Sequence, residues 1–233
     1  MAEDALSKLL AAAEPHVVFD GWGEETFAAA IKDSGVAPDL AKGLCPRGGV
    51  DLAIAAHKRG DQRMAEVLAQ AELSEMRIRD RISFAVKERL KAAGDKEAVR
   101  KASSLFALPV YAGEGAKLIW GTADAIWEGL GDPSRDVNWY TKRATLSGVY
   151  SAVVLFWLGD TSEGEAETKA FLDRRIEDVM RIETAKANLK KAPVLGKLLE
   201  GPLEVLSRIK APVGQAREDL PGYWPDTEEE GGK

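Results

Sequence analysis

Residues 20–46 read D-G-W-G-E-E-T-F-A-A-A-I-K-D-S-G-V-A-P-D-L-A-K-G-L-C-P, and their reading decides the fold. An apolar-periodic run begins near Glu24, after the turn F-D-G-W-G, and stops at Gly35. The short segment P-D-L-A-K-G-L follows, with Pro38 at its first turn, where a helix needs no backbone N–H. Upstream, a helix is expected over about 3–14, ahead of Pro15. Downstream, Pro46 and Gly48-Gly49 set off a fourth helix, V-D-L-A-I-A-A-H-K-R-G. This is the spacing of a helix-turn-helix unit. Its reading helix lacks the expected chemistry. Base edges and phosphates are met by Arg, Lys, Asn, Gln, Ser or Tyr. Residues 36–46 offer Lys42 as their one cation, and Asp39 would repel phosphate. The unit therefore predicts the shape of a DNA-binding domain with no nucleic-acid partner.

The helical pattern continues along the chain, without sustained period-two alternation. A fifth helix carries Ile78, Ile82, Ala85, Val86 and Leu90 as its apolar stripe. Its cations Arg77, Arg79, Arg81, Lys87 and Arg89 read as a solvated face laced with Asp80 and Glu88. G-D-K-E at 94–97 reads as a stop and a cap, and a sixth helix ends at Pro109. A seventh spans about 112–130, an eighth lies within 138–160, and a ninth buries Leu172, Ile176, Val179 and Met180. The expected architecture is all-α: a helix-turn-helix-like bundle, a larger helical bundle and a C-terminal amphipathic helix.

Composition narrows the function. With 45% hydrophobic residues, 30% charged residues and a net charge of −6 over 233 residues, the chain is not a general polyanion binder. Cys45, His16 and His57 are the only cysteine and histidines, too few for a zinc site, so neither metal nor cofactor is expected. No nucleophile, ligand set or phosphate loop accompanies the carboxylates, so no catalytic residue is assigned and the protein reads as a non-enzyme. One cysteine and the acidic start M-A-E-D-A-L-S-K lead to the expectation of a bacterial cytoplasmic protein, which the basic amphipathic segment near the C-terminus would place on the inner face of the cytoplasmic membrane.

The most specific run starts at Leu118: L-I-W-G-T-A-D-A-I-W-E-G-L-G-D-P-S-R-D-V-N-W-Y-T-K-R. With F-L-D-R-R-I-E-D-V-M at 171–180, it closely resembles the ubiquinone-biosynthesis accessory proteins of the coenzyme Q protein nine family. The N-terminal third resembles the tetracycline-repressor (TetR) superfamily, so the likeness covers about residues 15–185. The resemblance implies a TetR-like fold, a homodimer and binding of isoprenoid lipid. It further implies presentation of a ubiquinone precursor to a di-iron, demethoxyubiquinone-type hydroxylase. By resemblance, Asp124 and Trp127 match partner-binding positions.

The residues have their own physical reading. Trp120 and Trp127 lie seven apart on one helical face, with Asp124 a turn from each. That carboxylate is either buried with an arginine or exposed on an aromatic docking patch. Gly131 can end the seventh helix, and Asp136 can cap the eighth. Beyond Thr145 the eighth helix is apolar on every side and must be enclosed. Val149, Val153 and Phe156 fit core or dimer interface, whereas Leu118, Trp120, Leu146, Tyr150 and Trp157 are spaced to line a lipid cavity.

Residues 186–210 carry six basic side chains against Glu200 and Glu204. Leu195, Leu198, Leu199, Leu206 and Ile209 recur at helical steps, flanked by Lys197 and Arg208, as in an interfacial helix on an anionic membrane. The expected organisation is a degenerate helix-turn-helix-like domain at 1–60 and a lipid-binding, dimerising domain at 61–185. A membrane-associating segment at 186–212 and an acidic tail at 213–233 complete it. The alternative is a TetR-type regulator that senses a hydrophobic ligand.

Overall fold

The computed structural model describes residues 2–191, with side chains as far as Ile182. Within them the chain forms nine α-helices, one 3-10 turn at Glu163–Glu165 and no strand. The first four are α1 (Ala2–Asp20), α2 (Glu24–Ser34), α3 (Pro38–Leu44) and α4 (Gly49–Gln70). Then come α5 (Ile78–Ala92), α6 (Lys96–Phe106), α7 (Ala112–Gly129), α8 (Val137–Gly159) and α9 (Ala166–Lys191). The all-α expectation holds. α1 differs: it runs through Pro15 instead of stopping before it, because Ala13 and Val17 on either side are both fully buried. Packing of that face outweighs the lost backbone bond.

Two hydrophobic cores are strung along α4. The first joins Leu9, Leu10 and Val17 of α1 to Trp22, Ala30, Ala41 and Leu52, with Ala98, Ala102 and Phe106 of α6 against it. The second joins Met64 and Leu68 to Ile82 and Leu90, Ile126 and Trp127, Val153 and Trp157, and Leu172 and Ile176. α4 crosses residue 60 without a break, so the expected boundary falls inside a helix, between the two cores.

α6 joins the halves. Asp95 caps it, accepting from the backbone N–H groups of Glu97 and Ala98. Trp22 donates its indole N–H to the Ala98 carbonyl at 3.0 Å. Lys96 and Arg100 donate to the carbonyls of Asp160 and Leu158 at the end of α8, at 2.9 and 2.7 Å. No residue of α6 is fully buried.

Candidate functional site

Side chains from α4, α5, α6, α7 and α8 line a partly open cavity of about 310 Å³. This is the small end of the range for small-molecule sites. Its walls are apolar: Ala53, Leu90, Val99, Ala102, Phe106, Leu118, Ile119 and Val154 among others. The polar side chains on its lining include His57, Arg89 and Tyr150.

Those three belong to a buried network reaching behind the wall. Arg89 is 2% exposed. It donates from Nε to Asp61 Oδ1 at 2.6 Å and from Nη2 to the His57 carbonyl at 3.0 Å. Burial opposes its charge, but Tyr150 and Asp61 more than offset that and hold its pKa above the ordinary value. Gly60 makes the room, since a Cβ there would stand 2.7 Å from Arg89 Nη1. Thr122 Oγ1 donates to Asp61 at 2.8 Å and lies 2.9 Å from His57 Nε2. Burial and the Arg89 charge push the His57 imidazole down to about 4, so it is neutral near pH 7. Burial raises the Tyr150 phenol. The expected solvated basic face of α5 is thus corrected at Arg89. It stands one helical turn from Ala85 and Val86, both fully buried.

A second cavity, about 430 Å³, lies among α5, α7, α8 and α9 and is lined by Ile82, Trp127, Leu130, Leu146, Val149 and Ile176, with Lys142 and Asp132 among its polar groups. The turn beside it forms as its sequence suggests. Gly131 takes φ +72° after α7, and Asp136 accepts from the Asn138 N–H at the start of α8. Arg143, 2% exposed, ties the turn together. It donates to Asp124 at 2.5 Å and to Asp132 at 3.3 Å, and its guanidinium lies 4.0 Å from the Trp139 ring centroid. Burial opposes ionisation of Asp132, but bonds from Lys142 and Ser134 outweigh it and lower the pKa.

The structure redistributes the expected site residues. Leu118, Tyr150 and Trp157 line the first cavity, and Leu146 lines the second. Trp120 lines neither; its ring lies 5.9 Å from that of Trp139, which in turn meets Tyr140 edge-on at 4.8 Å. Asp124 takes the arginine-paired arrangement. Trp127 is 8% exposed, under the Lys142 ammonium, so the half-exposed aromatic surface consists of Trp120, Trp139 and Tyr140. A seven-residue spacing fixes a helical face but not how far along it the neighbouring helix reaches. The enclosure expected for α8 is incomplete within one chain: Ala144, Gly148 and Gly159 are exposed, and so is Leu155 at 67%. The residues expected to bind membrane, Leu195 to Ile209, lie outside the described residues.

In the sequence, His57 entered only the count of zinc ligands, Arg89 fell on a face expected to be solvated, and neither Asp61 nor Thr122 stood out. A signal was present. His57 and Asp61 stand four apart on the apolar face of α4 that carries Ala53, Met64 and Leu68.

These features define a class: an all-α protein of TetR-like fold with a small apolar cavity and a third helix poor in cations. A TetR transcriptional regulator from Nitrosomonas europaea shares the fold, with a TM-score of 0.61, 18% identity, and 74% of this chain and 95% of that one covered. Within that class, residues 112–183 match the COQ9 family model. The ubiquinone biosynthesis protein COQ9, mitochondrial, of Drosophila melanogaster is 29% identical over 182 residues, covering 76% of this chain and 56% of that protein. The Homo sapiens protein of the same name is 28% identical over 193 residues, with 79% and 60% covered. The Rattus norvegicus protein reaches 39% over 87 residues, 37% of this chain and 28% of its own. The chain spans less than two thirds of the length of these relatives. Their names place them in mitochondria, which overturns the bacterial cytoplasmic address expected from the sequence. A single cysteine reports on redox conditions and does not distinguish one reducing compartment from another.

Proposed function

We propose that the chain is a non-catalytic accessory protein of ubiquinone biosynthesis that binds an isoprenoid precursor in the first cavity and presents it to a demethoxyubiquinone-type hydroxylase. The observation that carries this reading is the cavity itself: mainly small and apolar walls with a polar end, in a fold whose relatives are named for the pathway. Each methylene moved there from water contributes about 0.8 kcal/mol. The docking surface for the hydroxylase is the aromatic patch of Trp120, Trp139 and Tyr140 beside Asp124, a composition that favours a binding hot spot. Exposed Ala144, Gly148 and Leu155 on α8 support a homodimer built on that helix, since small residues permit close approach. The 186–212 segment brings the protein to a membrane surface.

The test is to purify the protein without delipidation and identify bound lipid by mass spectrometry, with Ala102→Trp alongside to fill the cavity. Isoprenoid quinone precursors near one per chain, lost in the variant, support the reading. Empty protein that stays empty after incubation with quinone-containing vesicles refutes it. Tight, sequence-selective DNA binding at physiological salt would instead favour a regulator.

A further inference from the structure

Residues 102–113, A-S-S-L-F-A-L-P-V-Y-A-G, carry no charge and form the end of α6, the turn after it and the start of α7. Such a stretch would ordinarily turn inward. Here Leu108 is 49% and Val110 75% exposed, with Pro109 exposed between them. The polar groups of the turn are largely spent within it. The Leu108 N–H donates to the Leu105 carbonyl at 3.2 Å and the Tyr111 N–H to the Leu108 carbonyl at 2.9 Å, while Pro109 has no N–H. The hydroxyls of Ser103 and Ser104 donate back to the Val99 and Arg100 carbonyls at 2.9 and 3.0 Å. A surface with few groups left for water loses little on entering an apolar phase.

The charges around the turn favour an anionic phase. Lys101 precedes the uncharged stretch and the exposed Lys117 follows it. The nearest carboxylates along the chain are already paired, Glu97 with Arg100 at 3.0 Å and Glu114 with Arg47 at 3.2 Å. The first cavity opens beside the turn, since Ala107, Ala112 and Ala116 both line it and are exposed.

We propose that the α6–α7 turn is a membrane-inserting tip. Leu108, Pro109 and Val110 enter the hydrocarbon edge of an anionic bilayer, and Tyr111 supplies the amphipathic ring that favours headgroup level. The mouth of the first cavity then faces the bilayer. The inference rests on the lipid-binding reading, for which the tip supplies the entry. A protein partner fits less well, because protein hot spots use Trp, Tyr or Arg in shaped pockets, whereas this tip offers aliphatic groups and few free hydrogen-bonding groups. Two aliphatic side chains do not hold a protein on a membrane alone, so the tip acts together with the 186–212 segment.

The test attaches an environment-sensitive nitrobenzoxadiazole label to the full-length chain through Val110→Cys, with Glu66→Cys on the exposed side of α4 as the comparison; Cys45 is buried and stays unlabelled. On vesicles of equal parts phosphatidylcholine and phosphatidylglycerol, the label at 110 should brighten and shift to the blue, and the label at 66 should not. Val110→Asp should weaken co-sedimentation of the unlabelled protein with the same vesicles about tenfold, the factor for keeping one such side chain out of the apolar phase. Its thermal unfolding should stay unchanged, because the site is exposed. A label at 110 that remains in water on vesicle-bound protein overturns the tip, and leaves the lipid-binding reading standing if that protein carries a quinone precursor. Equal shifts at both positions, or no binding to the vesicles at all, overturn it as well. A blue shift that grows with protein concentration in the absence of vesicles overturns it in favour of a contact between copies. Insertion at 110 by a protein whose cavity never takes up lipid keeps the tip and defeats the lipid-binding reading.

Discussion

Asp61→Asn isolates what the buried network contributes. The substitution keeps size and shape and removes one charge, leaving the Arg89 guanidinium buried opposite a neutral amide. Breaking a buried pair from one side costs about 3–5 kcal/mol. The lower end applies, because Arg89 retains the His57 carbonyl at 3.0 Å and the asparagine oxygen can still accept. A loss of about 3 kcal/mol corresponds to a melting temperature lower by roughly 6–12 °C in a chain of this size. Urea unfolding followed by both circular dichroism and tryptophan emission gives the free energy and checks that the two probes coincide. The double variant Asp61→Asn/Arg89→Met completes the cycle. Replacing both charges should recover most of the loss, within about 2 kcal/mol of the starting protein. A single-variant cost below about 1 kcal/mol, or a double-variant cost equal to the two single costs added, would refute the claim that the charges depend on each other.

Two further outcomes follow from the structure, and a third from the proposed membrane segment. His57 ordinarily titrates near 6.5 but is pushed to about 4 in the fold, so the unfolded chain takes its proton first as pH falls. Stability from this residue is complete above about pH 6.5 and declines towards pH 4, by about 2 kcal/mol between pH 7.5 and pH 5. His57→Gln should flatten that slope in urea titrations at the two pH values, and an unchanged slope would place the titration elsewhere. Asp95→Ala removes the acceptor of two backbone N–H groups at the start of α6 and should cost about 1 kcal/mol by thermal unfolding. Deleting residues 190–233 should abolish sedimentation with anionic liposomes while leaving the mass by light scattering that of a dimer.

Much of the fold was legible because its signals are local. Gly35 and Pro38 punctuate the helix-turn-helix unit, and Asp95, Gly131 and Asp136 stop or start helices within a few residues of themselves. The network was illegible for the opposite reason. Asp61, Arg89 and Thr122 come from three helices separated by 28 and 61 residues from Asp61, and each looks ordinary in its own helix. Trp120 and Trp127 illustrate the same limit. Their common face was readable, but the depth at which α8 crosses it is a tertiary fact, and it leaves one indole half-exposed and the other buried.

That α6 has no fully buried residue, yet walls the cavity and covers the first core, gives it a particular place in the energetics. Elements with few deeply buried contacts open at the lowest free energy, so its amides should exchange with solvent ahead of those of α4 and α8. On the proposed lipid-binding reading, a prenyl chain of many units exceeds 310 Å³, and α6, the helix that yields most cheaply, is where such a chain would enter. Occupancy on that reading would be felt twice, once in the cavity and once at α1, because α6 packs against the first core as well as the cavity.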